Sequence, residues 1–201
     1  VIACNTASAF ALDTVKAEQD IPVIGVIEAG AKVAASVTRN HRIGVIGTEG
    51  TIGSGIHAKY LKKLDPKITV IGRPCPLFVP LAEEGWTHDP VTTQVAERYL
   101  EDLKKENIDT LILGCTHYPL LRSTIAQVMG DGVRLVNPAY ETALELGRLL
   151  KEKDMLSAGT IQEDFPYRFF VSDLADKFTG FANSILPYDV SMTKKIDIEK
   201  Y

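Results

Sequence analysis

The sequence predicts an α/β protein built as two similar parallel-sheet lobes with a cleft between them. Short β-branched runs alternate with longer amphipathic stretches, the pattern of βαβ units around a parallel sheet. Two distant segments, Val1-Ile2-Ala3-Cys4-Asn5-Thr6 and Leu111-Ile112-Leu113-Gly114-Cys115-Thr116-His117, each run an apolar strand into a cysteine and then into polar residues able to open a helix. No self-similarity at a period of about 20–50 residues points instead to a solenoid or propeller.

The elements follow in order. Residues 1–3 read as a strand end, 7–17 as a helix, 22–26 as a strand and 29–37 as an Ala-rich helix. Residues 42–46 form a strand that enters a Gly-rich loop over 47–55, and 56–64 form a helix. A strand over 68–71 and a short helix over 77–84 come next. Asp89-Pro90 supplies a cap and a first-turn proline for a helix over 91–106, with Val95, Tyr99 and Leu103 as its apolar stripe. Residues 110–113 read as the buried strand that delivers Cys115, followed by a helix over 120–129 and a strand over 133–136. Asn137-Pro138 caps a helix reaching residue 150; then come a linker over 159–163, a strand over 167–171 and a helix over 174–186. The polar tail after residue 187 is expected to fray.

The composition of the 201 residues, 45% hydrophobic and 24% charged, is that of a folded globular chain. A formal net charge of −4 argues against a general nucleic-acid surface, and no apolar run is long enough to span a membrane. Three cysteines without close spacing, Cys4, Cys75 and Cys115, make a poor disulfide framework and fit a reducing, cytoplasmic setting. They also lack the paired spacing of a zinc site. The chain opens without Met inside an expected strand and is therefore read as beginning partway through a longer protein.

A cysteine between a strand end and a helix start meets unpaired N–H groups that favour thiolate and lower its pKa. Two such cysteines facing one substrate can remove a proton from one side and return it on the other. Alone, each is as well read as a small buried hydrophobe; Asn5, Thr6, Thr116 and His117 supply polar company that such a core lacks. His117, two residues from Cys115, can relay a proton or pair with a thiolate, or it can simply face solvent at a helix start. A single Cys/His hydrolase nucleophile would leave Cys4 unexplained. Cys75, between Pro74 and Pro76, reads as structural. The segment from Gly47 to Gly55, with Thr48 and Thr51, could cradle a carboxylate or be a plain turn; it lacks the lysine of a P-loop. Of Glu83 and Glu84, at least one is expected in solvent, since a carboxylate opposes the dipole at a helix end.

Cys4-Asn5-Thr6 together with Gly114-Cys115-Thr116-His117-Tyr118-Pro119-Leu120 resembles the glutamate racemases of the aspartate/glutamate racemase superfamily. Val26-Ile27-Glu28-Ala29-Gly30, Gly47-Thr48 with Thr51, and Val79-Pro80-Leu81 followed by Glu83 look like the same family, so matching segments run from residue 1 to about 188. The resemblance implies two flavodoxin-like lobes, one of residues 28–136 and one of residues 1–27 joined to 137–201. It implies cofactor-independent interconversion of L- and D-glutamate, supplying D-glutamate to peptidoglycan. Cys4 and Cys115 would be the two acid/base groups, His117 would assist Cys115, and Asn5, Thr6, Thr48, Glu83 and Thr116 would hold substrate. No cofactor or metal is expected; the expected partners are glutamate and a second copy of the chain in a homodimer. The family's Asp-Ser-Gly segment and its tight substrate-binding turn have no counterpart here and would precede Val1. An aspartate racemase or related isomerase would use the same two cysteines, and a non-catalytic lobe could bind an acidic ligand or a protein partner; proton exchange at Cα separates these readings.

Overall fold

The computed structural model describes residues 1–157, 167–187, 189–190 and 193–200. They fall into two compact units, Val1–Met155 and Leu156–Tyr201.

The first unit runs α1 (Asn5–Glu18), α2 (Val26–Val37), β1 (Arg42–Gly47), α3 (Glu49–Gly53), α4 (Ile56–Leu64), β2 (Thr69–Pro74), α5 (Phe78–Glu83), α6 (Pro90–Lys105), β3 (Thr110–Gly114), a 3-10 turn (Tyr118–Leu121), α7 (Arg122–Met129), β4 (Arg134–Val136) and α8 (Pro138–Glu152). Its sheet is parallel throughout, in the order β2-β1-β3-β4. The two central strands are apolar along their length, as a parallel sheet covered on both faces requires. Their alternation sorts side chains between two cores. Ile46, Leu111 and Leu113 pack with Phe78, Ala96, Leu100 and Ile125. On the other face Ile43, Val45 and Ile112 pack with Ala31, Ala34 and Leu61.

Both proline-led caps form as the sequence predicts. Asp89 Oδ1 accepts from the Val91 N–H at 2.7 Å, and Asn137 Oδ1 from the Ala139 N–H at 3.1 Å. The fully buried stripe of α6 is Thr92, Ala96, Leu100 and Leu103, with Val95 and Tyr99 at its border. The strands expected over 1–3 and 22–26 reduce to one bridge between Ile2 and Gly25, where the Ile2 N–H donates to Ile24 O at 2.8 Å. β-branched residues favour an extended chain, but a ladder needs successive paired residues, and Val26 already belongs to α2. The Gly-rich segment is no loose loop either: Thr48 caps the short α3 within it.

His57, in the first turn of α4, is 4% exposed, and burial lowers its pKa to about 4. The unfolded chain takes up this proton near 6.5 and the folded chain only near 4, so the folded state is favoured fully above pH 6.5 and progressively less below it. Between pH 7 and pH 4 the loss is on the order of 3 kcal/mol. Urea titrations at the two pH values will show that loss, and His57→Phe will shrink it.

The second unit is a βαβ arrangement: β5 (Phe169–Val171), α9 (Ala175–Ile185) and β6 (Thr193–Lys195), the two strands parallel, then a 3-10 turn at Ile198–Lys200. The tail expected to fray thus pairs in a sheet. Asn183 Oδ1 accepts from the Val190 N–H at 2.6 Å, and Thr179 Oγ1 donates to Thr193 Oγ1 at 3.0 Å. The linker expected over 159–163 lies outside the described residues.

Candidate active site

Gly47 and Gly114 are paired neighbours at the carboxyl ends of β1 and β3, so Thr48 and Cys115 leave the sheet side by side. Ligands of parallel sheets gather at this edge. A Cβ on Gly114 would lie 2.6 Å from Ile46 O, which is why glycine stands where the strands close up.

Cys4 arrives at the same edge on α1. It is the N-cap of that helix, exposed, with its sulfur accepting from the Ala7 N–H at 3.5 Å. The helix is docked through hydroxyls: Thr6 Oγ1 lies 2.9 Å from Thr48 Oγ1 and 2.8 Å from Thr51 Oγ1, and Thr48 Oγ1 donates to Thr51 Oγ1 at 3.1 Å. Thr48 Oγ1 also accepts from the Thr51 N–H at 3.2 Å, capping α3. The three threonines therefore tie the Cys4 turn to the strand beside Cys115. Asn5 is buried, its Oδ1 without a hydrogen-bond partner among the described residues.

Cys115 sits in a bend directly after β3 and is 8% exposed. Its Sγ lies 3.9 Å from His117 Nδ1, and Thr116 Oγ1 lies 3.3 Å from the same nitrogen. The other ring nitrogen, Nε2, is 3.3 Å from Glu83 Oε1 at the end of α5. A carboxylate, an imidazole and a thiol thus stand in line, and a proton leaving or reaching Cys115 has a neighbour that can share it. Glu84 is exposed, so of the two adjacent glutamates one is in solvent and one is held in the site.

The expected lowering of the Cys115 pKa is not found. Burial pushes its thiol up, and the nearby Cys4 charge adds to the rise; hydrogen bonds from His117 and Thr116 offset part of it. A 3-10 turn separates Cys115 from α7, which begins only at Arg122, so the sulfur does not sit at the N-terminus of that helix. The two cysteines consequently differ: one is an exposed helix cap, the other a buried thiol. Cys75 is fully buried, with a pKa raised to about 12, and its carbonyl accepts from Tyr118 Oη at 2.8 Å.

All eight residues singled out for the site thus belong to one connected region at one end of the sheet. Thr51, read from the sequence with Thr48 as a possible carboxylate cradle, joins Thr6 and Thr48 in that hydroxyl cluster. Among the described residues, no cluster of His, Cys, Asp and Glu could hold a metal ion. No described helix is long and apolar enough to cross a membrane.

The profile of the Asp/Glu/Hydantoin racemase family matches residues 1–146. The chain belongs to that family. It is 46% identical to the glutamate racemase of Geobacter metallireducens over 99% of its own length and 73% of the relative's. It is 42% identical to that of Chlorobium phaeobacteroides over 98% and 72%. Among solved racemases, its fold superposes on glutamate racemase isoform RacE1 of Bacillus anthracis with a TM-score of 0.91, at 39% identity over 98% of this chain and 74% of that one. The Francisella tularensis glutamate racemase in complex with D-glutamate gives 0.89, at 36% identity over 98% and 73%. Members of the racemase family are isomerases, and the α/β architecture described above is theirs.

Proposed function

We propose that this chain interconverts L- and D-glutamate with Cys4 and Cys115 as the two acid/base groups, supplying D-glutamate for peptidoglycan. The observation that carries the residue assignment is the threonine-tied juxtaposition of the two cysteine turns at one sheet edge. In one direction a thiolate takes the Cα proton from one face while the opposite thiol gives its proton to the other; both sulfurs end in the reverse protonation state, ready for the other enantiomer. The Cα–H is a very weak acid, so a thiol whose pKa burial has raised forms a stronger base once ionised, at the expense of the fraction ionised at rest. Asn5, Thr6, Thr48 and Thr116 hold the substrate's polar groups, their donors stabilising charge that develops on the carboxylate. Glu83 orients His117, and His117 shares the Cys115 proton. The lobe division at residues 28–136, the cytoplasmic location and the homodimer belong to the same proposal; light scattering tests the last.

Polarimetry with L-glutamate and L-aspartate as separate substrates tests the reaction and separates the aspartate alternative: rotation decays for glutamate, and comparable decay for aspartate would overturn the choice of substrate. His117→Asn is expected to lower kcat by about 10²–10⁴-fold, the usual contribution of an acid–base partner. The Cα–H step served by Cys115 will suffer more than the one served by Cys4, as α-deuterated L- and D-glutamate will show; the L/D equilibrium stays unchanged.

A further inference from the structure

His57 takes no part in that chemistry, yet it lies directly behind it. The ring is buried, and among the described residues neither nitrogen has a hydrogen-bond partner, so nothing polar there accounts for its placement. Its Cε1 is 3.6 Å from where a Cβ on Gly114 would stand, which places the ring beside the residue that immediately precedes Cys115. Ile46 O lies 2.6 Å from that same point and leaves no room for a side chain. The strand end that aims Cys115 therefore has a neighbouring backbone carbonyl and one imidazole gathered at the same side of Gly114.

Local sequence fixes that imidazole. Ser54 Oγ accepts from the Ile56 N–H at 3.3 Å, and Gly55, at φ +65, turns the chain into α4. His57 is thus the far end of the segment whose near end, Thr48, grips Thr6 beside Cys4. One stretch of chain, residues 48–57, touches the supports of both cysteines.

We infer that His57 is a positioning residue for Cys115: its ring, as a shape packed beneath Gly114, sets where the Cys115 sulfur stands relative to the substrate Cα. This rests on the reading of Cys115 as an acid/base group. A misplacement of about 1 Å at a reacting group is enough to cost up to 10²-fold in rate. Substrate binding through Asn5, Thr6 and Thr48 does not pass through this ring, so the effect falls on turnover more than on KM.

The test uses the whole chain with His57→Ala and His57→Phe, assayed in both directions well below each variant's melting temperature. The expected result for His57→Ala is a drop in kcat of about 10- to 100-fold with KM within about two-fold of wild type. His57→Phe, which restores a ring without its nitrogens, is expected to recover most of that loss. Should His57→Ala not fold, His57→Leu keeps the comparison, with an intermediate kcat expected. Unchanged kcat in a folded Ala or Leu variant overturns the assignment, as does a Phe variant as impaired as Ala. Cys115→Ser, run alongside, separates the two layers. An inactive Cys115→Ser with an unaffected His57→Ala rejects only the positioning role; an active Cys115→Ser rejects the acid/base reading beneath it.

Discussion

Cys4→Ser and Cys115→Ser are each expected to lower racemisation in both directions by at least about 10³-fold, while Cys75→Ser is expected to retain it. A serine hydroxyl is far too weak an acid to ionise at neutral pH, and each turnover needs a proton removed by one sulfur and delivered by the other. Cys75 serves as the control because it is sequestered: fully buried, its thiol pKa near 12, its sulfur donating to Arg73 O at 3.6 Å, a bond a serine can also make. Full turnover by either of the other two variants would refute the pairing. Melting curves of all three, compared with wild type, confirm that activity is being lost from folded protein.

Phe78→Ala is expected to be the most damaging change away from the chemistry. The ring is fully buried at the start of α5 and meets Tyr99 and Tyr118 edge-on, with centroids 5.4 and 5.3 Å away. Truncating a buried aromatic costs about 3–5 kcal/mol, and for a chain of this size each kcal/mol lowers Tm by about 2–4 °C. The same truncation reaches the site. α5 ends on Glu83, and Tyr118 belongs to the turn that follows His117, so loosening their shared contact disturbs the Glu83–His117 alignment from both sides. Calorimetry will show the fall in Tm, and kcat will fall further than stability alone explains at temperatures where the variant is folded. Phe78→Leu is expected to recover part of both.

Much of this was legible in the sequence, and the failures share a cause. Asp89 and Asn137 announced their helices because capping is local: side chain, acceptor and N–H lie within two residues. The cysteine turns were legible for the same reason, Cys115 following the end of β3 and Cys4 capping α1, each with polar residues beside it. The strand expected over 22–26 failed because pairing is not local; β-branched residues there found one bridge partner rather than a ladder. The Cys115 thiol failed through burial, which depends on Tyr118, Leu121 and the rest of the surrounding core and overrides nearby N–H donors. That Glu83 would face His117 had no signal at all in residues so far apart; it follows from α5 packing against the turn after Cys115. His57 is invisible in the same way, since only the tertiary fold brings α4 beneath Gly114.

Exchange by two separate groups leaves a mark on the product that a single shuttling base does not leave. With L-glutamate in D2O, sampled over the first few per cent of conversion, two-base exchange places one solvent deuteron at Cα of every D-glutamate formed while the remaining L-glutamate keeps its hydrogen. The reverse reaction from D-glutamate gives the mirror result. Product that retains the substrate's own hydrogen would contradict the assignment of Cys4 and Cys115, because a single group would then be carrying the proton from one face to the other.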